Sequence, residues 1–398
     1  MVACIVACGL ATVCCFVFLG YDNFDLIGHW RICKYALLGI DPFPLIGKHA
    51  AIDAVGAIPK GFSTAPWSLV LGSVLYGAML PIEVAKTYVL LLHGASIAVL
   101  AYIVHSRRER WGLQRTDVTI ALLLVAVHFS LMYSIRYGNT GGVLCLFLIQ
   151  AMLVADDHPW LAGVLVAFAM TKPQIAVPIC GVMLLNGKFR TIALAAAIDL
   201  VSWGCASALT GTSPLGLLSE MGQYGVTSVR QYLGLLSPLR FFHVSPSVIL
   251  AANVAIGVVF TVVLWLRVRS SSCRFKELMS YVPACAASVF WIYKNGTDFL
   301  ILCLCAFFFY YLFAHVEQTR GRLTIALLGM LFMETSKVIV GVITYTRGRN
   351  LLLVDGSKSA EGLIVMLLTA YLVVRWTKVV REPSCLAESP AQGAVEAS

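Results

Sequence analysis

Charged side chains are scarce in this chain of 398 residues: Asp, Glu, Lys and Arg together make up 12% of it. A soluble domain carries about a quarter of its residues as charges, whereas 59% of this sequence is hydrophobic. The scarcity excludes the soluble globular class. The sequence predicts an all-α polytopic membrane protein with room for about 10–12 transmembrane helices of roughly 20 residues each.

Metal-binding cysteine patterns are also missing. The thirteen cysteines contain no CxxC pair and no cluster with histidine at metal-ligand spacing. Most of them lie inside apolar runs, where cysteine acts as a small packing residue. We therefore expect no metal and no other cofactor. The net charge of +9 comes from basic residues in short loops, which is typical of orientation determinants and gives no reason to expect nucleic-acid binding.

The apolar runs predict one integral membrane domain at 1–381, followed by a disordered cytoplasmic tail at 382–398. The first run, 2–20, is read as an uncleaved helix. A polar-to-mixed loop at 21–66 follows, and run 67–80, at about 14 residues, suits an interfacial or re-entrant helix. Further spans are expected at 83–105, 117–135, 141–155, 160–171, 173–186, 191–209, 244–267, 279–293, 298–315, 322–345 and 362–377.

The basic loops set the expected orientation. If 67–80 does not cross, the chain crosses twelve times and its basic loops share one side, which is cytoplasmic by the positive-inside rule. The polar groups near residues 22–25, 136–139, 172, 210–243 and 294–298 then share the outer side. The two short runs that meet at Lys172-Pro173 are read either as two spans or as one long helix bent at the proline.

Within loop 21–66, the segment from Ile27 to Gly39 predicts an amphipathic helix lying in the membrane interface. Its apolar surface would come from Ile27, Trp30, Ile32, Tyr35 and Leu38. Asp22 and Asp25, three residues apart at the end of the first run, are either stop residues for that span or working groups at the bilayer surface.

Other charged residues lie inside apolar runs or at their ends. Lys172 lies between two apolar runs, where an ammonium is costly without a partner anion, although a lysine that snorkels to the interface fits as well. Asp298 stands at the start of a span and is read as a helix N-terminal carboxylate. Glu334 and Lys337 share a helix face and are read as a structural ion pair in preference to a transporter's polar path.

Three motifs carry a family resemblance. They read Asp25…Trp30…Leu37-Leu38-Gly39-Ile40-Asp41-Pro42-Phe43, then Arg136-Tyr137-Gly138-Asn139, then Ala162-Gly163…Lys172-Pro173 followed by Lys188-Phe189-Arg190. The sequence thereby resembles membrane glycosyltransferases of the GT-C type, and within them glycosyltransferase family 87, the polyprenyl-phosphate-mannose-dependent α-mannosyltransferases. It departs from the family pattern at Gly225-Val226-Thr227-Ser228, where members often have Gly-Asn-Gln-Ser. It also lacks the histidines of a late span, where Lys294 keeps a cation.

The resemblance implies a GT-C fold with a long outer loop after the first helix. It implies an inverting transfer of a sugar, mannose in the first place, from polyprenyl phosphate to a lipid- or glycan-type acceptor. The membrane would be the plasma (inner) membrane, with the active site on its periplasmic or extracellular face. The alternatives are arabinofuranosyl transfer from the corresponding lipid donor and, in a different class, a lipid-linked sugar flippase or transporter. Against the transporter, the chain shows no internal repeat.

The chemistry that the resemblance implies needs a base and cations. Asp25 is the expected general base from its place in the first motif, and Asp22, to which no family residue aligns, is the runner-up. The expected contacts to the donor phosphate are Lys172, Lys294, Arg230 and Arg136. The expected substrate-binding residues are His29, Asn139 and Trp30.

Overall fold

The computed structural model describes residues 23–59, 65–126, 128–221, 235–273, 275–291, 296–316 and 351–379. In these ranges every regular element is a helix, as the all-α class predicts. The predicted first helix at 2–20, the predicted span at 322–345 with Glu334 and Lys337, and the predicted tail lie outside the described residues.

The α-helices are named here in chain order. They are α1 (Phe24–Leu37), α2 (Leu69–Leu75), α3 (Ile82–Arg107), α4 (Arg115–Ala126), α5 (Phe129–Tyr137), α6 (Gly141–Val154), α7 (Pro159–Ala169), α8 (Pro173–Leu185), α9 (Phe189–Thr210), α10 (Pro246–Arg269), α11 (Lys276–Phe290), α12 (Cys303–Tyr311) and α13 (Leu351–Val379). Short 3₁₀ helices occupy Phe43–Leu45, Pro66–Ser68, Ser237–Phe242 and Gly296–Leu302, and a π-helical turn covers Leu312–Val316. Residues 214–221 are also helical.

Five helical stretches of the described chain are long and apolar enough to cross a membrane. They are Ile82–Arg107, Phe189–Thr210, Pro246–Arg269, Asp298–Val316 and Ser359–Val379. The pair Arg115–Ala126 and Ser130–Tyr137 makes a sixth span if its 44° bend is counted as a break within one crossing. The chain is therefore a multi-pass membrane protein.

Three consecutive helices are short, as the sequence predicted, and each is within one residue of the predicted length. Helices α6, α7 and α8 have 14, 11 and 13 residues, which at a rise of 1.5 Å per residue gives roughly 21, 16 and 20 Å. A hydrocarbon core is about 30 Å thick. Each of these helices is therefore shorter than a hydrocarbon core is thick.

Helices α7 and α8 form a hairpin, which removes the alternative of one long bent helix. The chain breaks at Lys172, whose φ of −122° and ψ of 77° are typical of a residue before proline, and Pro173 opens α8. At the other end, the Lys188 ammonium binds the Asp156 carboxylate. This ion pair joins the start of α7 to the end of α8, so the two helices run in opposite directions from a tip at Lys172.

Ion pairs gather the loops at the open end of this hairpin. Arg107 and Arg110 both bind Asp157, at 2.6 and 3.0 Å. Lys188 also binds Glu277 at 2.5 Å, which brings in the start of α11. We call this group of loops the basic end of the molecule.

The amphipathic helix predicted at 27–39 is α1, but its boundaries and its surroundings differ. It begins at Phe24, because Asn23 takes a left-handed φ of 48° and its carbonyl accepts a hydrogen bond from Ile27 N. Leu38, predicted as apolar surface, is 48% exposed, whereas Leu26, Ile32, Cys33 and Tyr35 are fully buried. Neighbouring segments therefore surround α1 on several sides, and it is not a helix with one buried face.

The run predicted as a 14-residue helix at 67–80 contains a 3₁₀ turn and α2, which ends at Leu75. The reason is local: Gly77 takes a φ of +59°, and Ala78 N donates back to Ser73 O at 2.8 Å. The segment packs against α1, where Cys33 Sγ lies 3.0 Å from the position of a Cβ on Gly72.

Candidate active site

Asp25 and His29 stand four residues apart on α1, so they share one face of that helix. The start of α1 packs on the turn between α5 and α6. Asn23 N donates to Arg136 O at 3.3 Å, and a Cβ on Gly138 would lie 2.6 Å from Leu26 Cβ. This close approach sets Asp25 beside the turn.

The turn itself is built to present Asn139. Gly138 ends α5 with a φ of 63°, a left-handed conformation that glycine adopts without steric cost. Asn139 N then donates to Ser134 O at 2.8 Å, and the side-chain Oδ1 accepts from Gly141 N at 2.7 Å. Asn139 is buried, so its amide has a fixed place at the start of α6.

A continuous chain of side-chain contacts crosses this region. Asn139 Nδ2 donates to Asp25 Oδ2 at 2.7 Å, and Lys172 Nζ donates to Asn139 Oδ1 at 2.9 Å. Lys172 Nζ also forms an ion pair with Asp298 Oδ1 at 3.2 Å. Lys172 is 9% exposed and Asp298 is 1% exposed. The lysine is therefore a buried, paired cation and does not snorkel to the interface.

His29 lies next to this chain of contacts. Its ring stacks on Tyr76 with centroids 4.8 Å apart and planes 11° apart. The Tyr76 hydroxyl accepts a hydrogen bond from Thr140 Oγ1 at 2.9 Å, which links the stack to the Asn139 turn. Burial, followed by the positive charge of Lys172, lowers the pKa of His29 from 6.5 to about 3. The imidazole is therefore neutral at physiological pH.

Arg136 and Trp30 were also predicted to belong to the site, and the structure gives them different surroundings. Arg136 is half-buried at the end of α5, with its guanidinium carbon 5.0 Å from the centroid of the Tyr137 ring. Trp30 is 6% exposed, and its indole N–H donates to Leu80 O at 3.2 Å. The structure thus places Trp30 in the core between α1 and the turn after α2.

Three predicted site residues cannot be placed, because Asp22, Arg230 and Lys294 lie outside the described residues. The family departure at 225–228 lies outside them as well. Of the predicted set, the structure brings Asp25, His29, Asn139 and Lys172 together.

Asp41, part of the first motif, holds a loop in place. Its Oδ1 accepts from Phe43 N at 3.0 Å and its Oδ2 accepts from Thr212 Oγ1 at 2.8 Å. At Gly39, with a φ of +76°, a Cβ would lie 3.2 Å from Leu209 O. The motif therefore joins the end of α1 closely to the end of α9.

Asp298 was predicted to be a helix N-terminal carboxylate, and its ion pair with Lys172 was not predicted. Asp298 does lie at the start of a 3₁₀ helix, but it also neutralises Lys172 from 126 residues away. The available signal was the cost of an isolated ammonium, which calls for an acid elsewhere in an apolar run. Tyr76 and Thr140 were missed as well, and neither has a distinctive sequence signal.

Among the described residues, no group of three or more His, Cys, Asp and Glu side chains is arranged to hold a metal ion. The chemistry of the site as described is that of a carboxylate beside an amide, a neutral imidazole and a buried ion pair.

The model of glycosyltransferase family 87 matches residues 65–293. No curated protein and no solved structure matches the chain significantly. Asn139 and Lys172 lie inside the matched range, whereas Asp25 and Asp298 lie on either side of it. The contacts described above bring residues from outside the match to those within it.

Proposed function

The chain belongs to glycosyltransferase family 87, and we propose that it is an inverting transferase that moves a sugar, mannose, from polyprenyl phosphate to a lipid- or glycan-type acceptor. The family match supports the glycosyltransferase class. The observation that carries the mechanism is the carboxylate of Asp25, which is half-buried and held at 2.7 Å by the Asn139 amide.

Asp25 acts as the general base in this proposal. The acceptor hydroxyl gives its proton to the Asp25 carboxylate while the oxygen forms a bond to the anomeric carbon. The bond between that carbon and the phosphate oxygen breaks, its electron pair leaves with polyprenyl phosphate, and the configuration at the carbon inverts. A positioned base of this kind contributes about 10²–10⁴-fold to rate.

The departing phosphate requires positive charge close by. Arg136, at the same turn as Asn139, is the described residue that we assign to it, together with Arg230 and Lys294 from the predicted set. Lys172 was also predicted to bind phosphate, but its contacts with Asp298 and Asn139 favour a supporting role. His29, neutral and on the same face as Asp25, is suited to hydrogen bonds with sugar or acceptor hydroxyls.

The proposed location is the plasma (inner) membrane, with the site on the periplasmic or extracellular face. Two observations support this orientation. The ion pairs gather Arg107, Arg110 and Lys188 at one end, which is the cytoplasmic end under the positive-inside rule. The Asp25 site lies at the tip of the α7–α8 hairpin, away from that end.

Transfer in native membranes tests the proposal. A gene-deletion strain is complemented with the wild-type chain, with Asp25→Asn or with Asp53→Asn, a matched change in the exposed part of the loop that follows α1. Membranes that contain the native acceptor receive radiolabelled polyprenyl-phosphate mannose. We expect wild-type transfer with Asp53→Asn and at least a 100-fold loss with Asp25→Asn at equal protein abundance.

The outcomes separate the parts of the proposal. Full transfer by Asp25→Asn removes the assignment of the base. If the wild-type protein uses the corresponding arabinose donor and not the mannose donor, the choice of sugar is wrong. If the protein moves the intact donor across the membrane without transfer, the enzyme class is wrong.

A further inference from the structure

We propose that Asp298, Lys172 and Asn139 form a positioning clamp that fixes the protonation and the direction of Asp25. The inference rests on the proposed function, because it takes Asp25 as the base. None of the three is assigned a catalytic role here. They act through Asp25, and nothing in the family match assigns this role to Asp298, which lies outside the matched residues.

The first step is the direction of the Asn139 amide. Its oxygen accepts from Lys172 Nζ at 2.9 Å and from Gly141 N at 2.7 Å. An ammonium and a backbone N–H can only donate hydrogen bonds. The amide oxygen must therefore face these two groups, and the NH₂ group must face Asp25. The orientation follows from the chemistry of the partners and does not depend on telling nitrogen from oxygen.

The second step is the charge of Lys172. A buried ammonium without a partner would lose its proton or withdraw from the site. Asp298, 1% exposed and 3.2 Å away, binds the Lys172 ammonium and holds it in position. The charged lysine also polarises the Asn139 amide, which strengthens the hydrogen bond that the amide donates to Asp25.

The third step is the effect on Asp25. A hydrogen bond donated to a carboxylate favours its ionised form, and so does a nearby cation. The clamp supplies the hydrogen bond, whereas Asp298 largely offsets the charge of Lys172. The clamp also holds one carboxylate oxygen, so that the side chain has a fixed direction. The base is thus kept ionised in a site bordered by apolar helices.

The closing experiment separates positioning from stability. Three variants are compared with the wild-type protein: Lys172→Met, Asp298→Asn and the double variant Lys172→Met/Asp298→Leu. The control pair is Lys86→Met and Glu83→Gln, from an exposed lysine–glutamate ion pair on α3 with a 2.7 Å contact. Protein abundance and the pH dependence of kcat/KM for polyprenyl-phosphate mannose are measured in native membranes.

The double variant decides the outcome. Asp298→Asn alone removes the carboxylate that binds the buried Lys172 ammonium and lowers abundance, whereas removal of both charges restores it. If the clamp positions Asp25, the acidic limb of the pH profile moves upward by about 1 pH unit in Lys172→Met and in the double variant, even at full abundance. If the double variant regains both wild-type abundance and the wild-type profile, the pair is structural only and the proposal is overturned.

Failure of the clamp is distinguishable from failure of the proposed function. If Asp25→Asn abolishes transfer while no clamp variant moves the acidic limb, the base stands and the clamp falls. If Asp25→Asn transfers normally, the proposed function loses its base, and the clamp is overturned with it. The Lys86→Met and Glu83→Gln controls are expected to keep the wild-type profile.

Discussion

The side-chain nitrogen of Asn139 lies 2.7 Å from a carboxylate oxygen of Asp25, although 114 residues separate the two in the chain. Asp25 is on the first described helix, outside the residues that match the family, and Asn139 is on a turn inside them. The hydrogen bond therefore holds the proposed base, Asp25, against the part of the fold that the family model matches.

Asn139→Asp is expected to impair transfer at low pH more than Asn139→Ala does. In Asn139→Asp, a second carboxylate faces Asp25 at hydrogen-bond distance, and two such groups bind a shared proton. The acidic limb of the pH profile should move up by more than about 1 pH unit, whereas Asn139→Ala, which removes the amide without adding a carboxylate, should move it less. Equal profiles for the two variants would contradict this order. The measurement is kcat/KM between pH 4 and 8. This range begins at the ordinary carboxyl pKa of about 4, so an upward shift of the acidic limb falls within it.

Gly138→Ala is expected to destabilise the protein and to lower transfer. A Cβ there would lie 2.6 Å from Leu26 Cβ, and the φ of 63° is unfavourable for alanine. The two effects together cost at least about 2 kcal/mol. Gly94→Ala on α3, where a Cβ meets nothing within 4 Å, is the matched control. The thermal midpoint in detergent micelles should fall for Gly138→Ala alone, and equal midpoints would rule out the close packing of α1 on this turn.

Acid should destabilise the wild-type protein through His29. Burial, followed by the charge of Lys172, lowers the folded-state pKa of His29 to about 3, against about 6.5 in the unfolded chain. Between these values the unfolded state binds more protons, so stability falls as the pH falls below about 6.5. The loss from His29 reaches about 2 kcal/mol at pH 5. His29→Phe keeps an aromatic ring on Tyr76 and should lose less on going from pH 7 to pH 5. Identical losses in thermal midpoint for the two proteins would disprove the burial of a neutral imidazole.

The two ends of the α7–α8 hairpin should be accessible from one side of the membrane. In Asp156→Cys and Lys188→Cys, we expect an impermeant maleimide to label both positions from the side that labels Glu109→Cys, an exposed residue of the basic end. Peptide mass spectrometry separates these thiols from the native cysteines. Labelling of positions 156 and 188 from opposite sides would restore the single bent helix.

The sequence predicted the class of fold, and it offered candidate site residues, because both depend on scarce residue types. Few charges in an apolar chain predict a membrane protein, and a lysine between two apolar runs, Lys172, is conspicuous. The path of the chain between α7 and α8 was not predictable in the same way. The hairpin at Lys172-Pro173 and a bent rod have the same hydrophobic pattern, and the difference depends on a contact between Asp156 and Lys188.

The partner of Lys172 could not be chosen from sequence, because pairing across 126 residues depends on tertiary structure. Trp30 has surroundings that the sequence did not indicate. An aromatic residue near a motif suggested substrate binding, but its indole N–H is used by the Leu80 carbonyl in the core. Periodicity gave no sign of this, because α1 is covered on several sides.

The order of synthesis gives the Lys172–Asp298 pair a consequence for membrane insertion. Lys172 leaves the ribosome 126 residues before Asp298, which at about 5–20 residues per second is a delay of about 6 to 25 s. During that delay the hairpin carries an ammonium whose carboxylate has not yet been made. Chains that stop before residue 298 therefore lack the carboxylate that binds Lys172 at the hairpin tip.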